Sequence, residues 1–370
     1  MLLFEPTAVC GPPTAGAHRT LNKPAYLHYS ENLGYQPFHR ARRPQHTMSG
    51  RAGPIFIIGR QHSGNTMLAR CLGQSPEVYS ATGEGTFFEH RDRLAQLPAS
   101  ERAAAILARA EGSGVEVPAE ARSEVRRHMQ DVPGGEEGTA GAMYARCMDG
   151  VARHHGATRW AQKATSYVFY VDDILECFPE ARLVFLARNP FDLAASMKRR
   201  GGWRDVARMA YGWNKGVRRA RARAREHPEN LTVVRYEDFV RAPKREMKTI
   251  CSFCDLSFHE ECLRVPHVNR SESPYNQSST QKGINSSRLG YYQTTLTDME
   301  IQAVRALVAD PLVDDLYPDL LSETRTSLPG GLYAAGLATA GAMTVGGQHL
   351  RTLLSDPHHA VQRVRKRLSV

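Results

Sequence analysis

Residues 54–67, read as Pro-Ile-Phe-Ile-Ile-Gly-Arg-Gln-His-Ser-Gly-Asn-Thr-Met, constrain the fold more than any other stretch of the chain. A short apolar, β-branched run stops at Gly59 and passes through polar residues to Gly64. It then continues with Met67, Leu68, Cys71 and Leu72 at helical spacing. The pattern predicts a strand, a phosphate loop and a helix. The spacing Gly59-x-x-x-x-Gly64-x-Thr66 matches the Walker A frame, with Asn65 standing where that frame places its lysine. Glycines let consecutive N–H groups converge, and the helix N-terminus adds partial positive charge, so the frame suits a bound phosphate. The missing lysine counts against ordinary ATP hydrolysis, and a plain strand-to-helix turn is the other reading of the same residues.

With 370 residues, 41% of them hydrophobic and 23% charged, the chain can form one large α/β domain with additions, or two domains. A formal charge of +10 and a pI near 9.4 point to anionic partners: nucleotides, sulfated or phosphorylated substrates, or membrane headgroups. Charge alone does not choose among them. Seven scattered cysteines, an odd number, do not resemble a disulfide framework and favour a reducing, cytoplasmic setting. Asn-x-Ser/Thr triplets begin at Asn230, Asn269, Asn276 and Asn285. Without a recognisable signal peptide or a strong membrane span they are read as accidental.

Residues 1–50 mix prolines and histidines with Arg19, Lys23, Arg40, Arg42 and Arg43, and predict a loose basic arm. Such an acid-poor segment is also what organelle targeting uses, which stays open as the alternative. Residues 99–155 read as a helical insertion broken by Gly112-Ser113-Gly114 and Pro133-Gly134-Gly135, the wall of a substrate site. Then come a short strand over 159–163, a helix over 167–177, and the strong strand 183–186, which ends at Ala187-Arg188-Asn189-Pro190. A further strand over 231–234 precedes Tyr236, a helix follows Pro243, and Thr297 with Glu300 has capping-box spacing. Strands alternating with helices predict a parallel sheet. Residues 326–370 form a C-terminal extension. It is uncharged from Pro329 to Leu350 but too rich in glycine, alanine and threonine for a bilayer span. It ends in a basic amphipathic pattern around Arg363, Arg365, Lys366 and Arg367, where a docked or free tail is preferred to peripheral membrane contact.

Taken together, these stretches resemble the sulfotransferases that use 3′-phosphoadenosine 5′-phosphosulfate (PAPS). The loop from Gly59 to Thr66 resembles the family's 5′-phosphosulfate loop, usually a basic residue followed by Ser-Gly-Thr-Thr. Arg188-Asn189-Pro190-Phe191-Asp192-Leu193-Ala194-Ala195-Ser196-Met197 is similar to its 3′-phosphate motif, and Tyr236-Glu237-Asp238-Phe239 to its later Tyr-Glu-Asp-Leu segment. The resemblance covers residues 54–318. It implies a P-loop-NTPase-like three-layer α/β fold with a central parallel sheet, and transfer of a sulfuryl group from PAPS to a hydroxyl, or an amine, without a metal. It makes 51–325 the sulfotransferase domain.

The residue chemistry supports that reading. Arg188 offers planar bidentate donors for a phosphate and Ser196 a hydroxyl on the helix that follows, so a second anion site suits a nucleotide phosphorylated at two places. By resemblance, Arg60, Gln61, His62, Ser63, Gly64, Asn65 and Thr66 hold the 5′-phosphosulfate. Arg188, Ser196, Tyr236, Ser287 and Arg288 surround the 3′-phosphate, with Lys282 and Gly283 as a further option. Two departures stand out. His62 occupies the family's basic position and Asn65 replaces a threonine, so Arg60 or a protonated His62 is expected to compensate at the reacting centre. Lys163, at a strand end just before a Thr165-Ser166 helix cap, falls where a family lysine stabilises the leaving phosphate. Glu84, in Gly83-Glu84-Gly85-Thr86, resembles the catalytic carboxylate that deprotonates the acceptor; Glu89 and His90 are fallback bases.

Two other constellations compete for attention. Cys251, Cys254, His259 and Cys262 form an available zinc set. Yet Cys251 and Cys254 fall in an apolar helical pattern, where cysteines act as small hydrophobes. Arg218, Arg219, Arg221, Arg223 and Arg225 spread around a helix with no interleaved aromatics, which favours a solvated face over a nucleic-acid patch. The functional alternatives are a small-molecule kinase with a degenerate P-loop and a non-catalytic protein that binds adenosine bisphosphate. The acceptor's class is left open by the sequence.

Overall fold

The computed structural model describes residues 52–81, 83–130, 139–265, 284, 286–323, 327–355, 357 and 361. The expected N-terminal arm, Lys282, Gly283 and the basic C-terminal residues lie outside these.

Five strands form one sheet: β1 (Ile55–Gly59), β2 (Val78–Ala81), β3 (Arg159–Lys163), β4 (Arg182–Ala187) and β5 (Leu231–Arg235). Their order is β2-β3-β1-β4-β5, and every pairing is parallel. Parallel strands need helical crossovers that cover both faces, so a central strand reads as a continuous apolar run, as β1 does. Its alternation sorts the core. Phe56 and Ile58 point into one apolar layer and Ile55 and Ile57 into the other.

Behind one face lie α1 (Asn65–Leu72), α9 (Tyr236–Arg241) and α10 (Pro243–Phe253). The other face is covered by α2 (Phe87–Ala95), the insertion helices α3 (Ala99–Gly112), α4 (Arg122–Gln130) and α5 (Ala140–His154), then α6 (Val171–Cys177), α7 (Pro190–Arg199) and α8 (Val206–Glu226). After these come α11 (Tyr292–Thr295), α12 (Asp298–Leu307), α13 (Asp310–Leu316), α14 (Pro318–Glu323) and α15 (Leu328–Ser355). The resulting three-layer α/β architecture is the one the sequence predicts.

Phe56 is ringed by Phe88, Trp160, Tyr167 and Phe178, with centroids 5.4–6.0 Å away. The insertion is fastened to this cluster rather than appended to it. Tyr144 of α5 stacks on Phe87 at 4.0 Å and its hydroxyl donates to Gln162 of β3.

The expected helix over 167–177 is split. A single 3₁₀ turn, Tyr167–Phe169, precedes α6, because Tyr167 is drawn fully into the core, where its hydroxyl accepts from Phe88 N–H. The Thr297/Glu300 capping box forms as expected. The arginine run on α8 is not simply solvated. Arg219 and Arg223 both pair with Asp172 of α6 at 2.7 Å, and Arg221 pairs with Asp315 of α13, so the run laces three helices together. Cys251, Cys254 and Cys262 are buried in the apolar layer under α1, and among the described residues no cluster of His, Cys, Asp or Glu is placed to hold a metal ion. The uncharged C-terminal segment is the helix α15. Trp203 Nε1 donates to Tyr333 Oη at 2.7 Å and Ala334 is buried, so its first turns dock on the domain. Among the described residues no helix is long and apolar enough to cross a membrane.

Candidate active site

The residues singled out in the sequence gather at the C-terminal ends of the strands, where open parallel sheets bind their ligands. Gly59 ends β1 facing Leu186 of β4. A Cβ there would meet the Leu186 carbonyl oxygen at 2.6 Å and Asn65 Oδ1 at 2.7 Å, so only glycine fits. The loop then turns tightly: Ser63 N–H donates to Arg60 O at 3.1 Å, His62 takes φ +69° and Gly64 φ +95°. A Cβ on Gly64 would come within 2.8 Å of the Tyr236 ring, which packs beneath the loop.

Asn65 is the residue whose part in the loop differs most from the phosphate-facing one expected of it. It is buried, and its amide Nδ2 donates to Arg60 O at 3.0 Å, so it pins the end of the loop to its beginning. A lysine or threonine could not make that closure in the same way, which accounts for the departure from both frames. Ser63 is buried and its Oγ has no hydrogen-bond partner. Thr66 lies half-buried in the first turn of α1, and Gln61 is exposed.

Arg188, immediately after β4, joins the loop to the segment that carries Arg288. Its Nη1 donates to His62 O at 2.7 Å, its Nη2 to Arg288 O at 3.4 Å, and its guanidinium lies 4.5 Å from the Tyr236 ring centroid. Nε is sealed from solvent with no hydrogen-bond partner. Ser196, in the second turn of α7, is buried, while Ser287 is exposed. Arg288 and Arg199 both lie 5.1 Å from the Tyr291 ring.

Cations surround His62. Burial, then Arg200, Arg188 and Arg60 in that order, bring its pKa from 6.5 to about 4, although the ring keeps contact with solvent. Burial and the three guanidiniums thus favour the neutral imidazole, which weighs toward Arg60 as the compensating cation. Arg60 itself lies along α8, where a Cβ on Gly212 would come within 2.7 Å of its Cζ.

Sequence reasoning missed four contributors. Asp192 is fully buried, and its carboxylate accepts from Gly290 N–H at 3.1 Å and Tyr292 N–H at 3.0 Å, anchoring the segment that carries Arg288. Glu237 accepts from Asn189 N–H at 2.9 Å and Tyr317 O–H at 3.0 Å, fixing the turn on which Arg188 sits. Burial pushes both carboxyl pKa values up. Both residues stand inside the motifs already quoted, so their positions carried the signal. Arg200 could have been found only as the end of a basic Lys198-Arg199-Arg200 run.

Thr165 is the fourth. It does not cap a helix; its N–H and hydroxyl both donate to Glu84 Oε1. Glu84 Oε2 receives Lys163 Nζ at 2.7 Å, so the expected base and the expected leaving-group donor touch. Gly85 N–H donates to Lys163 O at 2.8 Å, and Gly83 abuts the Ser113 carbonyl, where any Cβ would clash. Strand β3 and the insertion thus hold the Glu84 turn from two sides. Glu89 and His90 lie one turn further on, in α2.

The chain is similar to several known proteins. One relative is a Caenorhabditis elegans protein named "Putative protein-tyrosine sulfotransferase", 24% identical over 151 residues, or 38% of this chain; the chain spans 58% of that relative's length. Among solved structures, the sulfotransferase domain of the Synechococcus PCC 7002 olefin synthase is 21% identical with a TM-score of 0.46, covering 72% of this chain and 99% of that one. The sulfotransferase domain from the curacin biosynthetic pathway is 18% identical with a TM-score of 0.42, covering 78% and 98%. The model of the sulfotransferase family matches residues 54–260, more than half of the 370, and the chain belongs to that family.

Proposed function

We propose that this chain moves the sulfuryl group of PAPS to a hydroxyl acceptor. The observation that carries the reading is Arg188, which hydrogen-bonds the carbonyl of His62 in the phosphate loop and that of Arg288 in the closing segment. One guanidinium between two anion-binding elements suits a nucleotide with phosphates at two places. The residues fit such a ligand: Ser63 Oγ and Arg188 Nε are buried polar atoms without protein partners, and buried polar groups need them. Ser63, Gly64, Thr66 and the loop amides would hold the 5′-phosphosulfate, and Arg188, Ser196 and Arg288 the 3′-phosphate.

PAPS supplies the sulfuryl group and departs as adenosine 3′,5′-bisphosphate. The acceptor oxygen forms its bond to sulfur while the bond from sulfur to the bridging oxygen breaks, leaving the electron pair on the 5′-phosphate. Glu84 takes the acceptor's proton. The 2.7 Å contact couples this to the leaving group, because a proton on Glu84 removes the negative charge beside Lys163 and turns the ammonium toward the phosphate. Thr165 holds Glu84 in place throughout.

Incubation with PAPS labelled in its sulfate, over a panel of hydroxyl acceptors and a cell extract, tests the reading. Label transferred to an acceptor, with the mass gain of one sulfuryl group, is the expected result. Bisphosphate binding with no transfer to any acceptor would leave a binding protein instead.

A further inference from the structure

The half-buried arginines of the helical layer are mostly matched to carboxylates. Arg91 reaches Glu176 and Asp173, Arg219 and Arg223 share Asp172, and Arg305 meets Asp310. Insertion helix α3 carries two that are not: Arg102 is held instead by the backbone carbonyls of Ala95 and Leu97, whereas Arg109 has no such pair of acceptors. Its only hydrogen bond among the described residues is from Nη1 to Thr86 Oγ1 at 3.3 Å, two residues beyond Glu84, and no described carboxylate lies within 4 Å of it. Its Nε is shut off from solvent and has no hydrogen-bond partner.

The surroundings do little to compensate. Burial and the neighbouring Arg93 work against its charge; Glu89 favours it from beyond contact distance. Holding a guanidinium half out of water with no carboxylate in contact is costly unless something else supplies one. The Thr86 contact places the guanidinium at the end of the turn that carries Glu84. The Glu84 side chain is 41% exposed, which leaves this turn open to an incoming molecule.

We propose that Arg109 is a specificity-determining residue for the acceptor, and that the acceptor carries a carboxylate or another anionic group near the hydroxyl it presents to Glu84. The inference rests on the sulfotransferase reading and narrows it to anionic acceptors. Arg109 makes no contact with the reacting atoms; it binds the acceptor's acid and so sets which hydroxyl reaches Glu84.

The test uses three hydroxy acids, 4-hydroxyphenylacetate, N-acetyltyrosine and 3-hydroxybutyrate, each against its neutral amide. Calorimetric titrations are run on the full chain, with and without saturating adenosine 3′,5′-bisphosphate, and so do not depend on turnover. At least one acid should bind about tenfold or more tightly than its amide. Arg109→Ala should abolish that preference and leave amide binding within twofold. Arg109→Gln, which keeps planar donors without the charge, should do the same, and urea midpoints identify a variant that has lost its fold. Equal binding of acids and amides to the wild type, no binding of any acid, or an undiminished preference in a folded Arg109→Gln variant would overturn the proposal. Failure of the bisphosphate itself to bind would instead sink the sulfotransferase reading. In that case the acid preference measured without it still decides whether Arg109 is an anion site.

Discussion

The residues around Arg188 and those around Glu84 stand at the same C-terminal edge of one sheet, yet they are built differently. The Arg188 side is interlocked: the guanidinium ties the loop to the closing segment, Tyr236 packs under Gly64, and the buried carboxylates of Asp192 and Glu237 hold the backbone on either side. The Glu84 side is an open turn. Among the described residues its carboxylate is held by Lys163 and Thr165, and its outer wall comes from the insertion. On the proposed function the Arg188 side receives the same nucleotide in every turnover, and such a site profits from rigid preorganisation. A site that must admit and release an acceptor profits from access. Substitutions on the two sides should therefore fail differently: the first in binding and stability, the second in turnover.

The largest expected effect falls on the open side. Lys163→Ala should lower kcat about 10²–10³-fold while changing the affinity for adenosine 3′,5′-bisphosphate far less. Stopped assays paired with calorimetry separate the two, and equal losses in both would erase the distinction between the halves. On the interlocked side, Arg188→Ala should weaken bisphosphate binding about 10- to 100-fold, because it removes a charged donor from a buried site. The affinity for AMP, which lacks the second phosphate, should fall less. An identical loss for both ligands would mean that Arg188 only props up the loop.

Gly64→Ala should destabilise the fold by about 1–3 kcal/mol, read from urea midpoints, since φ +95° disfavours any side chain and the new methyl meets the Tyr236 ring. The smallest effect concerns His62. Its folded pKa of about 4 lies below the ordinary 6.5, so the unfolded chain binds more protons between those values. The His62 contribution to stability is present above about pH 6.5 and is lost as pH falls through about 4. His62→Gln should therefore lose less Tm than the wild type between pH 7 and pH 5. The same pH dependence in both proteins would remove His62 from the cationic cluster.

The interlocked half was largely legible in the sequence, because its determinants are local. A strand that ends in glycine, an arginine at a strand end, and a serine eight residues on all sit at fixed offsets from elements with clear periodicity. Asn65 read as a defect for a reason that is also local: its amide closes the loop on Arg60 O, a contact that a motif written for lysine cannot express. The open half was harder. Glu84 and Lys163 were named for separate roles, and nothing in a spacing of 79 residues says that they touch. Thr165 looked like a helix cap until its hydroxyl was found on Glu84. Arg109 lies in an insertion whose alanine-rich pattern predicts helices but not which helix face meets the Glu84 turn. The ion pairs of the arginine run on α8 are equally invisible to spacing, since the partners Asp172 and Asp315 come from distant segments.

The central claim is that Arg188 joins two anion sites into one that holds a nucleotide phosphorylated at both ends. Calorimetric titration of the full chain with adenosine 3′,5′-bisphosphate, AMP and ATP tests it most directly. The expected result is that the bisphosphate binds most tightly, by about tenfold or more over AMP. A preference for ATP, or equal affinity for the bisphosphate and AMP, would contradict it.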